Sequence, residues 1–253
     1  MDPSGKTILI TGSTDGVGRH VALELGAAGA TTLIHGRDRQ RGEAVVDALR
    51  KAGNASAQLY LADLGSLAEV RRLAEAIRRD HQRLDVLINN AGIGSASGGR
   101  QRRTSTDGFE LRFAVNYLSG FLLTRLLLPL IVASAPSRIV NVASAGQSAI
   151  DFDDVMLTRR YDGGRAYTQS KLAQVLFTFD LARELEGSNV TVKPASRNLH
   201  GHDHGSGERS FPAQHRRRGR GRHPPARDRA GARRPHRPLF PGPTAGASQS
   251  PGL

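Results

Sequence analysis

The sequence contains no cysteine and no tryptophan, and aromatic residues make up only 5% of its 253 residues. Without cysteine there is no disulfide framework, no thiolate zinc site and no cysteine nucleophile, and a reducing cytosol is an acceptable compartment. The N-terminus lacks the charged and then apolar layout of a secretory signal. The most apolar run, 121–133, is interrupted by Arg125 and Pro129 and is too short to cross a bilayer. We therefore expect a soluble, cytoplasmic protein with no membrane span.

Charge is unevenly distributed along the chain, whose net charge is +13. Residues 193–253 carry 13 of the 36 Lys and Arg, only three of the 23 Asp and Glu, and nine of the 12 prolines. A segment of this composition cannot bury enough apolar surface to offset its chain entropy. We predict one ordered domain over residues 1–192, followed by a basic, Arg/Pro/Gly-rich and disordered tail over residues 193–253.

Short aliphatic runs alternate with longer amphipathic stretches in the first 192 residues. The runs predict strands at 7–11, 31–35, 58–61, 86–89, 138–142 and 190–192, and the stretches predict helices at 17–28, 39–52, 66–81, 109–133 and 165–186. Continuous apolar strands are typical of a parallel sheet covered on both faces. The fold class is therefore predicted to be α/β, a single Rossmann-type doubly wound sheet that binds its ligand at the carboxyl ends of the strands.

A glycine-rich turn follows the first predicted strand and opens the first helix. Glycine permits a tight turn and close approach of the backbone to a pyrophosphate, and the helix N-terminus offers free N–H groups and a positive dipole end. A tight turn without a ligand is the alternative that this motif alone leaves open. The predicted cofactor contacts in the turn are Gly12, Ser13, Thr14, Gly16, Val17 and Gly18.

The second predicted strand leads into Gly36 and Arg37. An acidic side chain there would accept hydrogen bonds from a ribose 2′-hydroxyl, whereas glycine followed by arginine leaves room and positive charge for a 2′-phosphate. This pattern favours NADP(H) over NAD(H). The alternative is a solvated surface arginine, because Arg39 and Arg41 crowd the same region.

Candidate cofactor contacts also follow the third and fourth strands. The Asp63 carboxylate could bond an adenine amino group, and small residues after the fourth strand would let the backbone pass close to the ribose and nicotinamide. Each of these short segments, taken alone, could equally be ordinary loop chemistry. The residues concerned are Asp63, Leu64, Asn90, Ala91 and Gly92.

Tyr167 and Lys171 lie four residues apart in a predicted helix and therefore share one helix face. An ammonium group beside a phenol favours the phenolate, which is what proton transfer by a tyrosine at neutral pH requires. A half-buried tyrosine beside a surface lysine is the alternative for this common spacing.

Taken in order, the glycine-rich turn, residues 89–92, Asn116, Ser144 and Tyr167-x-x-x-Lys171 resemble the short-chain dehydrogenase/reductase family over about residues 5–192. Residues 151–173 resemble its retinol-dehydrogenase-like branch. The resemblance implies hydride transfer between nicotinamide and a lipophilic alcohol, aldehyde or ketone. It implies that Tyr167 is the general acid/base, that Lys171 binds the nicotinamide ribose, that Ser144 bonds the carbonyl oxygen, and that Asn116 holds a water. Both Tyr167 and Lys171 are thus also expected to contact the cofactor.

The resemblance ends near Lys193, where the family normally continues into a nicotinamide-contacting turn, a substrate-binding segment and a last strand. Synonymous codons can be chosen for residues 193–204 and for residues 236–242. Read one base out of frame, they encode sequence that resembles the family's own in both places. We therefore expect that a frameshift near codon 193 replaced this region, and that turnover is reduced. The resemblance also leaves open a homo-oligomer formed through the helices at 109–133 and 165–186.

The basic tail supplies the alternative function. The run 216–222 is typical of disordered segments that bind nucleic acid by neutralising phosphate, but it has no interleaved aromatic residues for base stacking. A catalytically weak Rossmann protein with a nucleic-acid-binding tail is therefore the second hypothesis, and nucleic acid is not the favoured partner. His200, His202 and His204 stand among glycines without a preformed site, and we expect no metal.

Overall fold

A computed structural model describes residues 2–95 and 101–196 of the chain. These residues form a six-stranded sheet in the order β3-β2-β1-β4-β5-β6, in which every neighbouring pair of strands is parallel. The predicted Rossmann-type α/β fold is confirmed. The strands are β1 (Thr7–Ile10), β2 (Thr31–Gly36), β3 (Gln58–Leu61), β4 (Val86–Asn89), β5 (Ser137–Ala143) and β6 (Val190–Ser196).

Most helices begin at a polar residue that caps the first turn. Asp38, Ser66 and Asp162 each accept a hydrogen bond from the backbone N–H three residues ahead, which satisfies one donor of the helix start. The helices are α1 (Gly16–Ala27), α2 (Arg39–Lys51), α3 (Leu67–Asp80), α4 (Leu111–Phe113), α5 (Ser119–Ala133) and α6 (Gly163–Glu184).

Alternate residues of the central strands enter two separate hydrophobic clusters, as the period of a strand requires. Leu9 and Leu87 join one cluster, which is built with side chains of α3, α5 and α6. Ile8 and Ile34 join the other, which is built with side chains of α1 and α2. Two apolar layers therefore fix the register of the sheet and the positions of its strand ends, where the site lies.

The long helix predicted over 109–133 is interrupted. It starts with the single turn α4, continues as a π-helical turn over Ala114–Leu118, and becomes regular only in α5. By length and composition alone, Leu111–Ala133 is long and apolar enough to span a membrane. The shorter run 121–133 was expected to be too short to do so. Core helices of globular proteins meet the same criteria, and Leu123, Leu127 and Ile131 are fully buried in the cluster shared with α3.

The last described strand, β6, is longer than predicted. It continues beyond Val192 to Ser196, because Lys193, Pro194, Ala195 and Ser196 stay in register with β5. The rest of the predicted tail lies outside the described residues, as do the histidines at 200, 202 and 204 and the basic run 216–222. The frameshift and the nucleic-acid hypothesis stay predictions.

Candidate active site

A cavity of about 670 Å³ lies where the chain leaves the carboxyl ends of β1 to β4. The strand order reverses between β1 and β4, which is where open parallel sheets bind their ligands. Ten of the predicted cofactor contacts line this cavity: Gly12, Thr14, Gly16, Val17, Arg37, Asp63, Leu64, Asn90, Ala91 and Gly92. The segments that were singled out separately along the chain therefore meet in one place.

The glycine-rich turn is shaped by close approach of backbone. Gly12 has a φ of +64°, and a Cβ on it would lie 2.9 Å from the Ala91 Cα. A Cβ on Gly18 would lie 2.2 Å from the Gly12 carbonyl oxygen and 2.4 Å from the Asn90 Nδ2. Asn90 Nδ2 also donates to the carbonyl oxygens of Thr11 and Gly12, at 2.8 and 3.1 Å. Only glycine fits at these two positions, and the cradle suits the pyrophosphate of a dinucleotide.

Two of the predicted contacts in the turn do not line the cavity. Gly18 packs beneath the turn, and the Ser13 side chain is fully buried. Ser13 Oγ donates to the Ile10 carbonyl at 2.8 Å and accepts from the His35 N–H at 2.9 Å. Ser13 therefore ties the end of β1 to β2, and its direct contact with a cofactor stays a prediction.

Arg37 lies at the cavity and is exposed. In the described part of the chain it forms no ion pair, whereas Arg39 pairs with Glu43 and Arg41 pairs with Asp15. Gly36 has a second reason to be glycine, because a Cβ there would lie 2.4 Å from the Thr14 Cγ2. The strand end thus seats Thr14 and leaves the Arg37 guanidinium available to an anion.

The reaction end of the site brings Gly92, Asn116 and Lys171 together. A Cβ on Gly92 would lie 3.3 Å from the Asn116 Oδ1 and 3.6 Å from the Lys171 Nζ. Asn116 Oδ1 accepts from the Ile93 N–H at 2.7 Å, and its Nδ2 donates to the Ser170 Oγ at 2.9 Å. Asn116 therefore clamps the loop after β4 to helix α6.

Asn116 lies in the π-helical turn between α4 and α5. A π turn adds one residue to a helix and is frequent at functional sites. The apolar pattern of 109–133 predicts one continuous helix and does not mark this turn, so only the family resemblance singled out Asn116.

Lys171 is 5% exposed, and its ammonium group donates hydrogen bonds to two neutral acceptors that orient it. Nζ donates to the Val142 carbonyl at 2.7 Å and to the Gln174 Oε1 at 3.0 Å. Gln174 was not among the predicted residues. Its position one turn after Lys171 on α6 is the signal that could have found it.

Ser144 lies near the start of α6, the helix that carries Tyr167. Ser144 follows β5, and its Oγ accepts from the Gly146 N–H at 3.2 Å. A Cβ on Gly146 would lie 3.7 Å from both the Ser144 Oγ and the Thr168 Cγ2, which places Ser144 against the helical turn that carries Tyr167. Both side chains are partly exposed, so a substrate can reach them. Tyr167 and Lys171 lie outside the lining of the nucleotide cavity.

A buried ionic cluster that the sequence did not reveal fixes the segment between β5 and α6. Arg112 is 2% exposed and donates to the Tyr161 Oη at 2.5 Å, and that phenol donates to the Glu110 Oε1 at 3.0 Å. Burial and the Glu110 carboxylate raise the pKa of Tyr161, so the phenol stays protonated. The cluster ties the segment before α6 to helix α4.

The sequence profile of the short chain dehydrogenase family matches residues 6–196. The chain belongs to this family. It is 45% identical over 192 residues to retinol dehydrogenase 13 of Homo sapiens, covering 74% of this chain and 57% of that protein. It is also 45% identical over 201 residues to retinol dehydrogenase 14 of Mus musculus, covering 74% of this chain and 59% of that protein. These relatives confirm the retinol-dehydrogenase-like branch.

A solved short-chain dehydrogenase has the same fold. The crystal structure of a metagenomic short-chain oxidoreductase in complex with NADP superposes with a TM-score of 0.64 at 28% identity, covering 78% of this chain and 84% of that one. The chain spans less than three-fifths of the length of the two retinol dehydrogenases. Within residues 2–95 and 101–196, no group of three or more His, Cys, Asp or Glu side chains could hold a metal ion.

Proposed function

We propose that this chain is an NADP-dependent oxidoreductase that interconverts a lipophilic alcohol and the corresponding aldehyde or ketone. The observation that carries the proposal is the meeting of Gly92, Asn116 and Lys171 beyond the dinucleotide cradle, with Tyr167 one helical turn before Lys171. A bound nicotinamide supplies or accepts the hydride. The proton transfer and the alignment of the site are assigned to side chains of this chain.

Tyr167 is assigned the proton transfer. Its Oη would donate a proton to the substrate oxygen during carbonyl reduction and take it back during alcohol oxidation. Lys171 lies one turn further along the same face of α6 and is buried, and its assigned role is to bind the nicotinamide ribose. Ser144 Oγ would donate a hydrogen bond to the substrate oxygen, where negative charge develops in the transition state.

Asn116 is assigned the alignment of the site. Its side-chain amide bonds Ile93 and Ser170, and Ser170 Oγ in turn donates to the Tyr167 carbonyl at 2.7 Å. These contacts hold the loop after β4 and the turn of Tyr167 at a fixed separation. The water that the family resemblance places on Asn116 stays a prediction.

A preference for NADP(H) rests on Arg37. Its guanidinium lies at the cavity, is exposed and is in no ion pair with the described residues, so a 2′-phosphate would gain a charged partner there. The metagenomic relative was solved with NADP. We propose the same cofactor for the present chain, together with a lipophilic substrate of the retinol or retinal type, like the substrates that the related retinol dehydrogenases are named for.

The test is the oxidation of NADPH by the purified chain in the presence of all-trans-retinal. We expect turnover above the uncatalysed rate, and Tyr167→Phe should lower kcat by about 10²- to 10⁴-fold, since a positioned acid or base contributes that much. Tyr60→Phe is the matched control, because Tyr60 bonds Gln58 and Asp80 away from the cavity. A Tyr167→Phe variant as active as the control would overturn the assignment.

A further inference from the structure

His35 touches the glycine-rich turn through both its backbone and its side chain. It is 2% exposed, lies on β2 and lines the nucleotide cavity. The Gly12 N–H donates to the His35 Nδ1 at 3.1 Å. The Ser13 N–H donates to the His35 carbonyl at 2.9 Å, and the His35 N–H donates to the Ser13 Oγ at 2.9 Å. Any residue at this position of β2 could make the two backbone contacts. The contact with the Gly12 N–H depends on the acceptor in the His35 side chain.

The Gly12 amide needs this acceptor because the turn has little freedom to find another. Gly12 is held in the left-handed region at φ +64°, and the Ala91 backbone closes the space on its Cα. Gly12 is partly buried, and an amide there that loses its acceptor costs free energy until the backbone rotates toward a new partner. Here that rotation would displace the turn that receives the pyrophosphate.

The contact also fixes the state of the imidazole. Nδ1 accepts a hydrogen bond only when it carries no proton, so the ring is neutral with its hydrogen on Nε2. Burial lowers the pKa of His35 to about 4, against smaller raising contributions from the Ala62 backbone and the Asp63 carboxylate. The acceptor is therefore present throughout the neutral range of pH.

We propose that His35 is a positioning residue for the cofactor, which holds the Gly12 amide and so sets the turn that receives the pyrophosphate. It touches the turn and not the reacting atoms, so its loss should weaken cofactor binding and leave kcat at saturating cofactor unchanged. The proposal rests on the proposed function, because the benefit is measured as affinity for NADP(H).

The experiment compares NADPH affinity by calorimetric titration in the full chain and four variants. His35→Asn keeps an acceptor close to the position of Nδ1, and His35→Leu removes it. His35→Gln places its amide near the position of Nε2 instead. Thr32→Val is the matched control, since Thr32 is fully buried on the same strand and its Oγ1 has no hydrogen-bond partner in the described part of the chain.

We expect His35→Asn and Thr32→Val to bind NADPH within about threefold of the unmodified chain, and His35→Leu and His35→Gln to bind about tenfold more weakly, as the loss of one partly buried hydrogen bond predicts. Equal affinity of His35→Leu and the unmodified chain would overturn the proposal. If His35→Leu does not fold, the contrast between His35→Asn and His35→Gln decides the question in the same way.

A second readout needs no cofactor. Nitrogen-15 spectra of histidine-labelled protein, assigned with His35→Asn, should show the His35 Nδ1 unprotonated and the Nε2 protonated. A proton on Nδ1 would overturn the proposal even if the chain is an active oxidoreductase. A chain that shows the expected tautomer but binds neither NADPH nor NADH would instead overturn the proposed function, and with it the role of His35 in cofactor affinity.

Discussion

At the nucleotide end of the site, glycines at 12 and 18 let the backbone approach Ala91 and Asn90 more closely than any side chain would allow. At the reaction end, the positions of Asn116 and Lys171 are set by hydrogen bonds between side chains and backbone. The first end is therefore sensitive to added atoms, and the second is sensitive to lost polar atoms. This difference says which kind of substitution should damage each end.

The reaction end is supported by further polar side chains inside the fold. Thr178 Oγ1 donates to the Gln174 carbonyl at 2.7 Å and accepts from the Asn141 Nδ2 at 2.8 Å, and the Asn141 Oδ1 accepts from the Asn89 Nδ2 at 2.8 Å. All of these side chains are buried. A buried polar network holds one geometry as long as its members are paired, which suits a site that must position a lysine ammonium.

The largest effect is expected from Gly18→Ala. The new methyl group would lie 2.2 Å from the Gly12 carbonyl oxygen and 2.4 Å from the Asn90 Nδ2. These two atoms are also joined to each other by a hydrogen bond, which keeps them in place. NADPH binding should fall below detection in a titration, with a lower melting temperature. Gly53→Ala is the control, because Gly53 has open space around it; its left-handed φ of +90° should make the change cost only about 1–2 kcal/mol, with unchanged binding.

A second effect concerns stability against pH at the nucleotide end. The pKa of His35 in the folded chain, about 4, is below its unfolded value of 6.5. As the pH falls between these values the unfolded chain takes up a proton that the folded chain refuses, so stability declines by about 3 kcal/mol. Urea unfolding at several pH values should show a smaller decline for His35→Asn. An identical decline in both proteins would contradict the buried neutral histidine.

The pH range in which His35 affects stability is separate from that of Asp154, which lies in the segment before α6. Backbone N–H groups of Thr158 and Arg159 lower the pKa of Asp154 to about 2. This carboxylate stabilises the fold above its ordinary pKa and loses that contribution only as the pH falls towards the lower value. The decline assigned to His35 should therefore precede it on acidification.

A third effect tests the cofactor preference. Arg37→Gln removes the guanidinium at the cavity and should weaken NADPH binding by about tenfold or more, as expected when a charged hydrogen bond to phosphate is lost, while NADH binding stays the same. Arg39→Gln is the control, because Arg39 already pairs with Glu43. Parallel losses for both cofactors in Arg37→Gln would show that the arginine does not discriminate between them.

The smallest effect is expected at Gln174. Gln174→Leu leaves the Lys171 ammonium with one acceptor fewer, so kcat should fall by about tenfold, comparable to the loss of one hydrogen bond to a charged group. Gln174→Glu places a carboxylate beside Nζ and should move the basic limb of the pH–rate profile upwards. A kcat unchanged in both variants would mean that Gln174 only fills space.

The sequence predicted the nucleotide end better than the reaction end. Glycine spacing and strand patterning are local, so Gly12, Gly16 and Gly18 and the sheet around them could be predicted from the chain. Asn116 was identified only through the family resemblance, because its partner Ser170 is 54 residues away. His35 likewise meets Gly12 across 23 residues. Such contacts are created by topology, and composition carries no trace of them.

The predicted ends of helices and strands are limited in the same way, because they also depend on contacts between residues that are far apart in the sequence. The strand at Val190 was predicted to stop at Val192, but pairing with β5 carries it through Pro194 to Ser196. Arg112, which the sequence did not single out, is buried at its contact with Tyr161, 49 residues further along the chain. In both places tertiary partners override local preference.

The most direct test of the account is the rate of NADPH-dependent retinal reduction at saturating NADPH in the purified chain and in Ser144→Ala. Ser144 lies away from the nucleotide cavity, so the variant should bind NADPH normally and react about 10²- to 10³-fold more slowly, the cost of losing one donor to the developing oxyanion. Equal rates in the two proteins, or no NADPH-dependent reduction by the unmodified chain, would contradict the account.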